Sequence, residues 1–217
     1  KATFTRAFDS CANELFDGWQ APEKGGHFHP WLNNFDSAGK YLKTDSWQGN
    51  QFSSLYYADA AVSFINSQKN KQQPFFCYVA FTAPHDPKTA PEEFVNKYPL
   101  KKIKLPLNYL PQHPFNNGEM QVRDELLLPL PRLKDSVRNE LAKYYAMITE
   151  VDSQIGRIID ALEQTGQLKN TLIIFTGDNG LAVGAHGLLG KQNLYEESVR
   201  VPLIIAGPGV PANQQRH

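Results

Sequence analysis

Residues 171–206 read TLIIFTGDNGLAVGAHGLLGKQNLYEESVRVPLIIA. An apolar run, 171–176, ends in Gly177-Asp178-Asn179-Gly180, and a Gly/His loop leads through Gly190-Lys191 and Tyr195-Glu196-Glu197 to a second apolar run, 201–206. Two buried strands would bracket a loop that holds one carboxylate (Asp178), one carboxamide (Asn179), one imidazole (His186) and one amine (Lys191). Oxygen ligands at the C-terminal end of a strand suit a hard cation such as Ca²⁺ or Mg²⁺. A lysine nearby suits an anionic group of a substrate. Asp-Asn-Gly taken alone is equally an ordinary turn, because Asn and Gly tolerate positive φ.

Working outward, residues 136–165 carry the clearest helical pattern. Leu141, Tyr144, Ile148, Val151, Ile155, Ile158 and Leu162 recur at steps of three and four, which is one face of a helix. Asp135 or Ser136 suits its N-cap and Gly166 its C′ position. Residues 51–68 repeat the pattern through Phe52, Leu55, Ala58, Val62 and Ile65, with Ser53 or Ser54 as cap. Residues 75–82, FFCYVAFT, form an unbroken β-prone run and read as a strand covered on both sides. A short helix is expected near 191–198 and another within 92–97. The alternation of strand and crossover helix predicts an α/β fold, a mainly parallel mixed sheet flanked by helices.

Between 83 and 135 prolines stand at 84, 87, 91, 99, 106, 111, 114, 129 and 131. That density denies a regular helix or a central strand. Leu, Tyr and Phe are frequent there, so the stretch reads as an ordered loop, the kind that often carries function. Residues 1–50 are turn-rich and aromatic and read as ordered loop. His27 and His29, two apart in HFH, read as surface histidines because no further ligand stands near them.

The 217 residues suffice for one domain or a large part of one. The 22 basic and 22 acidic residues balance, which argues against a nucleic-acid stripe or a polybasic membrane patch. No apolar run approaches the ~20 residues of a membrane helix. Cys11 and Cys77 make neither a disulfide framework nor a zinc site, and Cys77 reads as a small buried hydrophobe. The sequence opens at Lys1 without Met and without a targeting segment.

DNG, GxHG, GK, YEE and RVPLIIAGPGV in this order resemble the C-terminal half of the sulfatase signature in the alkaline-phosphatase-like superfamily. FFCYVAFTAPHDP and the long helix extend the resemblance, more weakly, over most of the chain. It implies an alkaline-phosphatase-like fold and a sulfuric ester hydrolase. It assigns Asp178 and Asn179 to Ca²⁺, with Mg²⁺ as the alternative ion. It assigns Lys191 to the sulfate and His85, of the PHDP element, to the ester. His186 matches a recurring position whose role is structural or substrate-contacting. Those assignments suit the chemistry: a divalent ion is Lewis acid and template, a lysine is a mobile point charge, and imidazole exchanges protons near neutrality. Tyr195 and Glu196 read as structural.

The resemblance also has gaps. Sulfatases draw a formylglycine from Cys in a C-x-P/S-x-R motif, complete the metal site with an early Asp-Asp pair, and carry a GKWH-like element. None of these is in the 217 residues, and Cys11 in CANEL does not fit the nucleophile motif. The expectation is a middle segment: residues 1–217 as a partial catalytic domain with the loop region 83–135 inside it, inactive alone, its formylglycine upstream. The substrate implied is a sulfated small molecule or polysaccharide, without nucleic-acid or membrane partners, in a periplasmic, extracellular or lysosomal setting. A phosphodiesterase or phosphonate monoester hydrolase of the same superfamily is the alternative, and a non-catalytic binding domain the third reading.

Overall fold

The computed structural model describes residues 27–28 and 52–215, together with the backbone of three short strands before them. Cys11 and His29 lie outside the described residues. The chain divides into two units, Lys1–Phe94 with Ala146–Lys169, and Val95–Tyr145 with Asn170–His217.

In the first unit, β1 (Glu14–Phe16), β2 (Trp31–Phe35) and β3 (Tyr41–Ser46) form an antiparallel sheet in the order β1-β2-β3. Leu15 pairs with Leu32 and Leu32 with Asp45. This corrects the reading of residues 1–50 as loop. The strands are three to six residues long, too short for alternation to stand out against the surrounding turn residues.

Helix α1 (Ser53–Gln68) follows, with Phe52 rather than a serine at its N-cap. Its buried residues are Ser53, Ser54, Tyr57, Ala58, Ala61, Phe64 and Ile65. The buried face is therefore rotated from the expected one: Ala58 and Ile65 lie on it, whereas Leu55 and Val62 are half-buried. Small and hydroxylated side chains let the helix pack closely, which an apolar-only pattern misses.

Residues 75–82 form no strand. Phe75 meets Phe64 edge-on at 5.6 Å and Phe81 meets Tyr57 at 6.1 Å, while Phe76 and Tyr78 are 53% and 70% exposed. The run packs along one side of its period-two alternation. It is not covered on both sides by the described residues, and that corrects the expectation of a buried strand. Cys77 is half-buried.

The 31-residue helix α3 (Lys134–Gln164) follows a short α2 (Glu92–Val95), both near their expected places. In the first unit its residues Met147 and Val151 pack with Phe52 and Ala83. Ile148 is exposed, and Glu150 and Gln154 are buried instead. Burial raises the pKa of Glu150, against the hydrogen bonds of Ser54 and Gln154 that lower it. The helix ends as its sequence requires: Gly166 has φ 75°, its N–H donates to Glu163 O (2.9 Å), and Gln167 N–H donates to Leu162 O (2.8 Å), a Schellman closure.

In the second unit, Val137, Leu141 and Ala142 of α3 pack with Ile103 and Val183. Full burial of each larger side chain contributes about 1.5–3 kcal/mol. The proline-rich stretch is ordered around 3₁₀ turns at Leu100–Lys102 and Glu125–Leu127. Strands β4 (Ile173–Thr176) and β5 (Leu203–Ala206) pair antiparallel, Ile173 opposite Ala206 and Thr176 opposite Leu203. The mainly parallel mixed sheet expected from the alternation is not formed among the described residues: these two runs make a two-stranded antiparallel pair, and 75–82 joins no sheet. The connection between β4 and β5 doubles back on itself (Ala182 N–H to Gly190 O, 3.0 Å) and holds one short helix, α4 (Glu196–Val199), of four residues. Ile174, Leu203 and Ile204 are more than half exposed. No helix among the described residues is long and apolar enough to cross a membrane.

Candidate functional site

The loop between β4 and β5 folds back on itself. Ala182 N–H donates to Gly190 O (3.0 Å), Val183 N–H to Leu189 O (3.2 Å) and Gly184 N–H to Leu188 O (2.7 Å). Gly180 N–H reaches Ser198 O at 2.9 Å. The Asp178-Asn179-Gly180 turn and the Gly190-Lys191 step thus stand at the two ends of one doubled-back segment, although nine residues of chain separate them.

Asp178 is exposed, and its Oδ1 accepts the Asn179 N–H (2.8 Å). The Asn179 Nδ2 donates to Gly180 O (2.9 Å). The turn thereby aligns its own side chains and leaves Asp178 Oδ2 and the Asn179 carbonyl oxygen as donors. Hard-oxygen donors of that kind fit Ca²⁺ or Mg²⁺, though two fall short of the six to eight that Ca²⁺ takes. Among the described residues no cluster of three or more His, Cys, Asp and Glu could hold a metal ion.

His186 sits in the left-handed region, φ 53°, with its N–H on Asn108 O (2.8 Å). Its ring stacks on Tyr195, centroids 3.8 Å apart. The Asn108 Nδ2 donates to His186 Nε2 (2.8 Å) and to Glu197 Oε1 (2.7 Å). Burial raises the Glu197 carboxyl, but the Asn108 amide and the neighbouring His186 outweigh it and hold that carboxyl below its ordinary value. On the far edge of Tyr195, its hydroxyl donates to His113 Nε2 (3.1 Å), while His113 Nδ1 donates to Phe115 O (2.7 Å). Asn108 and His113 escaped the sequence reading, and Glu197 entered it only within the YEE motif. Two of them lie in the proline-rich stretch, about 80 residues from the loop they support, and no spacing rule links the two.

His85 belongs to the other unit. Its backbone N–H closes a turn on Thr82 O (2.9 Å), and its Nδ1 donates to Asp86 O (3.1 Å). The buried Asp86 and Lys88 side chains form an ion pair that clips the same loop. Beneath it, His27 is 3% exposed, so its reading as a surface histidine is corrected. Its Nε2 donates to His85 O (2.8 Å) and its Nδ1 accepts from Ser53 Oγ (3.1 Å). Burial lowers its pKa, and the bond to the His85 carbonyl only partly offsets that. Both ring nitrogens have partners within the protein, so His27 is a structural support of the His85 loop and not a metal ligand.

The family profile described as Sulfatase matches residues 4–217. The chain is 31% identical to mouse (Mus musculus) iduronate 2-sulfatase over 163 residues, covering 70% of this chain and 30% of that protein. It is 33% identical to the choline-sulfatase of Rhizobium meliloti, covering 70% of this chain and 32% of the relative. Its structure is similar to that of the phosphonate monoester hydrolase of Agrobacterium radiobacter, with TM-score 0.62 and 28% identity over 72% of this chain and 33% of the other. The chain spans about 30% of the length of the sulfatases it matches.

Proposed function

The chain belongs to the sulfatase family of the alkaline-phosphatase-like superfamily, and from that premise we propose that the protein carrying it is a sulfuric ester hydrolase. The reaction consumes water and breaks the S–O bond of R–O–SO₃⁻ to give the alcohol and hydrogen sulfate. Residues 1–217 would form part of the catalytic domain. Asp178 and Asn179 contribute oxygens to a divalent cation, Ca²⁺ in the first instance. When bound, that ion supplies positive charge against the sulfuryl oxygens. Lys191 holds a sulfuryl oxygen as a point charge. His85 gives a proton to the leaving oxygen. Its Nδ1 donates to the Asp86 backbone carbonyl. His186, stacked and hydrogen-bonded, lines the substrate side of the loop. The nucleophile, a formylglycine by family, comes from outside these residues.

The observation that supports this reading is the doubled-back loop, which carries an oxygen pair at one end and an amine at the other. Iduronate 2-sulfatase and choline-sulfatase are named for a sugar acid and a small cation. A sulfated carbohydrate or sulfated small molecule is accordingly the substrate class, and a periplasmic, extracellular or lysosomal setting goes with it. The likeness to a phosphonate monoester hydrolase makes a phosphorus ester the competing substrate. The test is a side-by-side assay of the full-length protein on an aryl sulfate and an aryl phosphonate monoester. Sulfate release should exceed phosphonate hydrolysis, and Lys191→Ala should reduce it about 10²-fold or more, the scale of one charge-stabilising donor. A preference for the phosphonate ester would replace this reading with the alternative.

A further inference from the structure

The Gly187–Gly190 segment that leads into Lys191 is held by a buried ion pair from the proline-rich stretch. Glu125 lies in the Glu125–Leu127 turn, and both it and Arg132 are almost fully buried. The Glu125 carboxylate accepts the Leu189 N–H through both oxygens (3.1 and 3.0 Å) and the Gly190 N–H at 2.8 Å. It also accepts Arg132 Nη2 at 2.5 Å. The other guanidinium arm, Nη1, donates to Gly187 O, and Nη2 donates again to Glu125 O (3.0 Å). Arg132 is itself tied down: its N–H donates to Pro111 O (2.7 Å), and the Tyr109 hydroxyl donates to its carbonyl (2.5 Å). One residue beyond Lys191, the Gln192 Nε2 donates to Asp124 Oδ2 (3.1 Å). Residues 187, 189, 190 and 192 are therefore all gripped, and Lys191 is the residue between the grips.

We propose that Glu125 and Arg132 are positioning residues that set the backbone of the loop and so aim the Lys191 ammonium at the anionic group of the substrate. The proposal rests on the reading of Lys191 as the sulfate-contacting residue. The physical case is one of economy. A solvated turn would hold this loop at little cost, whereas a buried ion pair carries a desolvation penalty that good geometry must offset. Here the carboxylate's acceptor sites are spent on consecutive backbone amides beside the lysine. Near-attack geometry is sensitive to shifts of an ångström or so, and this clamp removes that freedom. Burial pulls the Arg132 guanidinium below its ordinary pKa, and the Glu125 carboxylate opposes that.

The experiment compares Glu125→Gln, Lys191→Ala and the double variant in the full-length protein, alongside hydrogen exchange at the Leu189 and Gly190 amides. Glu125→Gln keeps the shape and replaces the charged acceptor by a weaker one. It is expected to speed exchange at those two amides at least about tenfold and to lower kcat on an aryl sulfate by about 10- to 100-fold, the usual scale for groups that orient a site. In the Lys191→Ala background the same change should cost less than about twofold, because the side chain it aims is gone. If Glu125→Gln does not accumulate as folded protein, Gln192→Ala removes the exposed member of the tether. It should lower kcat about two- to fivefold with the same dependence on Lys191. Equal losses in both backgrounds would reduce the clamp to a stabilising contact. Unchanged amide exchange would overturn the clamp itself. Full turnover in Lys191→Ala would overturn the assignment of Lys191, and with it the catalytic purpose of the clamp, while sulfate release as such would stand.

Discussion

His27 shows how one side chain carries a pH dependence. It is buried, accepts from Ser53 and donates to the His85 carbonyl, so the folded protein holds it neutral with a lowered pKa. In the unfolded chain it titrates near its ordinary value of about 6.5. Below that value the unfolded state binds more protons, so the contribution of His27 to stability is present above about pH 6.5. It is lost as pH falls toward the folded pKa. The melting temperature should therefore fall between pH 7.5 and 5.5. His27→Gln should cost about 1–2 kcal/mol at pH 7.5, through lost hydrogen bonds and stacking on Phe52, and should flatten the dependence. Thermal melts of both proteins across that range check it, and parallel curves would mean that His27 does not titrate on unfolding. Glu150, whose pKa is raised by burial, works with the opposite slope: its contribution declines as pH rises above about 4.5.

At the scale of the element, helix α3 offers two glycines with opposite roles. Gly166 closes the helix with φ 75°, and a Cβ added there would meet nothing within 4 Å. Gly166→Ala therefore isolates the cost of the left-handed backbone, about 1–2 kcal/mol. Gly156 lies in the helix interior, also with open space around an added Cβ. Gly156→Ala should stabilise by about 0.5–1 kcal/mol through helix propensity. A shift of each melting temperature by a few degrees in opposite directions is the expected result; a loss in both would point to contacts of the glycine backbones instead. The β4–β5 pair is the contrasting case. Its strands pair in register along their length, yet Ile174, Leu203 and Ile204 are exposed, so the described packing adds little to it.

At the scale of the whole molecule, the donor count bears on activity. The two oxygens proposed from Asp178 and Asn179 fall short of the six to eight that Ca²⁺ takes, so residues 1–217 alone should bind Ca²⁺ weakly and release no sulfate. In the full-length protein, chelation should abolish sulfate release and lower the melting temperature, since an ion that binds only the folded state stabilises it. Ca²⁺ should restore both, and Asp178→Ala should prevent the restoration. Calorimetric titration beside a sulfate-release assay checks this. Undiminished turnover in the presence of chelator would remove the cation from the proposed mechanism.

The long helix, its glycine stop and the order of motifs from Asp178 to Val201 were legible in the sequence because each is local. A 3.6-residue period, a positive-φ glycine and a loop between two apolar runs all declare themselves within a few residues. The family followed from that same string. What tertiary structure decided was every relation between distant segments. The antiparallel pairing of β4 with β5, the one-sided packing of 75–82 and the burial of His27 depend on which surface each segment meets. So does the support of the loop between β4 and β5. Glu125 and Arg132 stand about 60 residues before Lys191 in a stretch legible only as proline-rich loop, and their carboxylate and guanidinium acquire a role only when folding carries them to the amides of Leu189 and Gly190. Periodicity reports how a segment turns about its own axis, and it carries no information on the partner that segment will face.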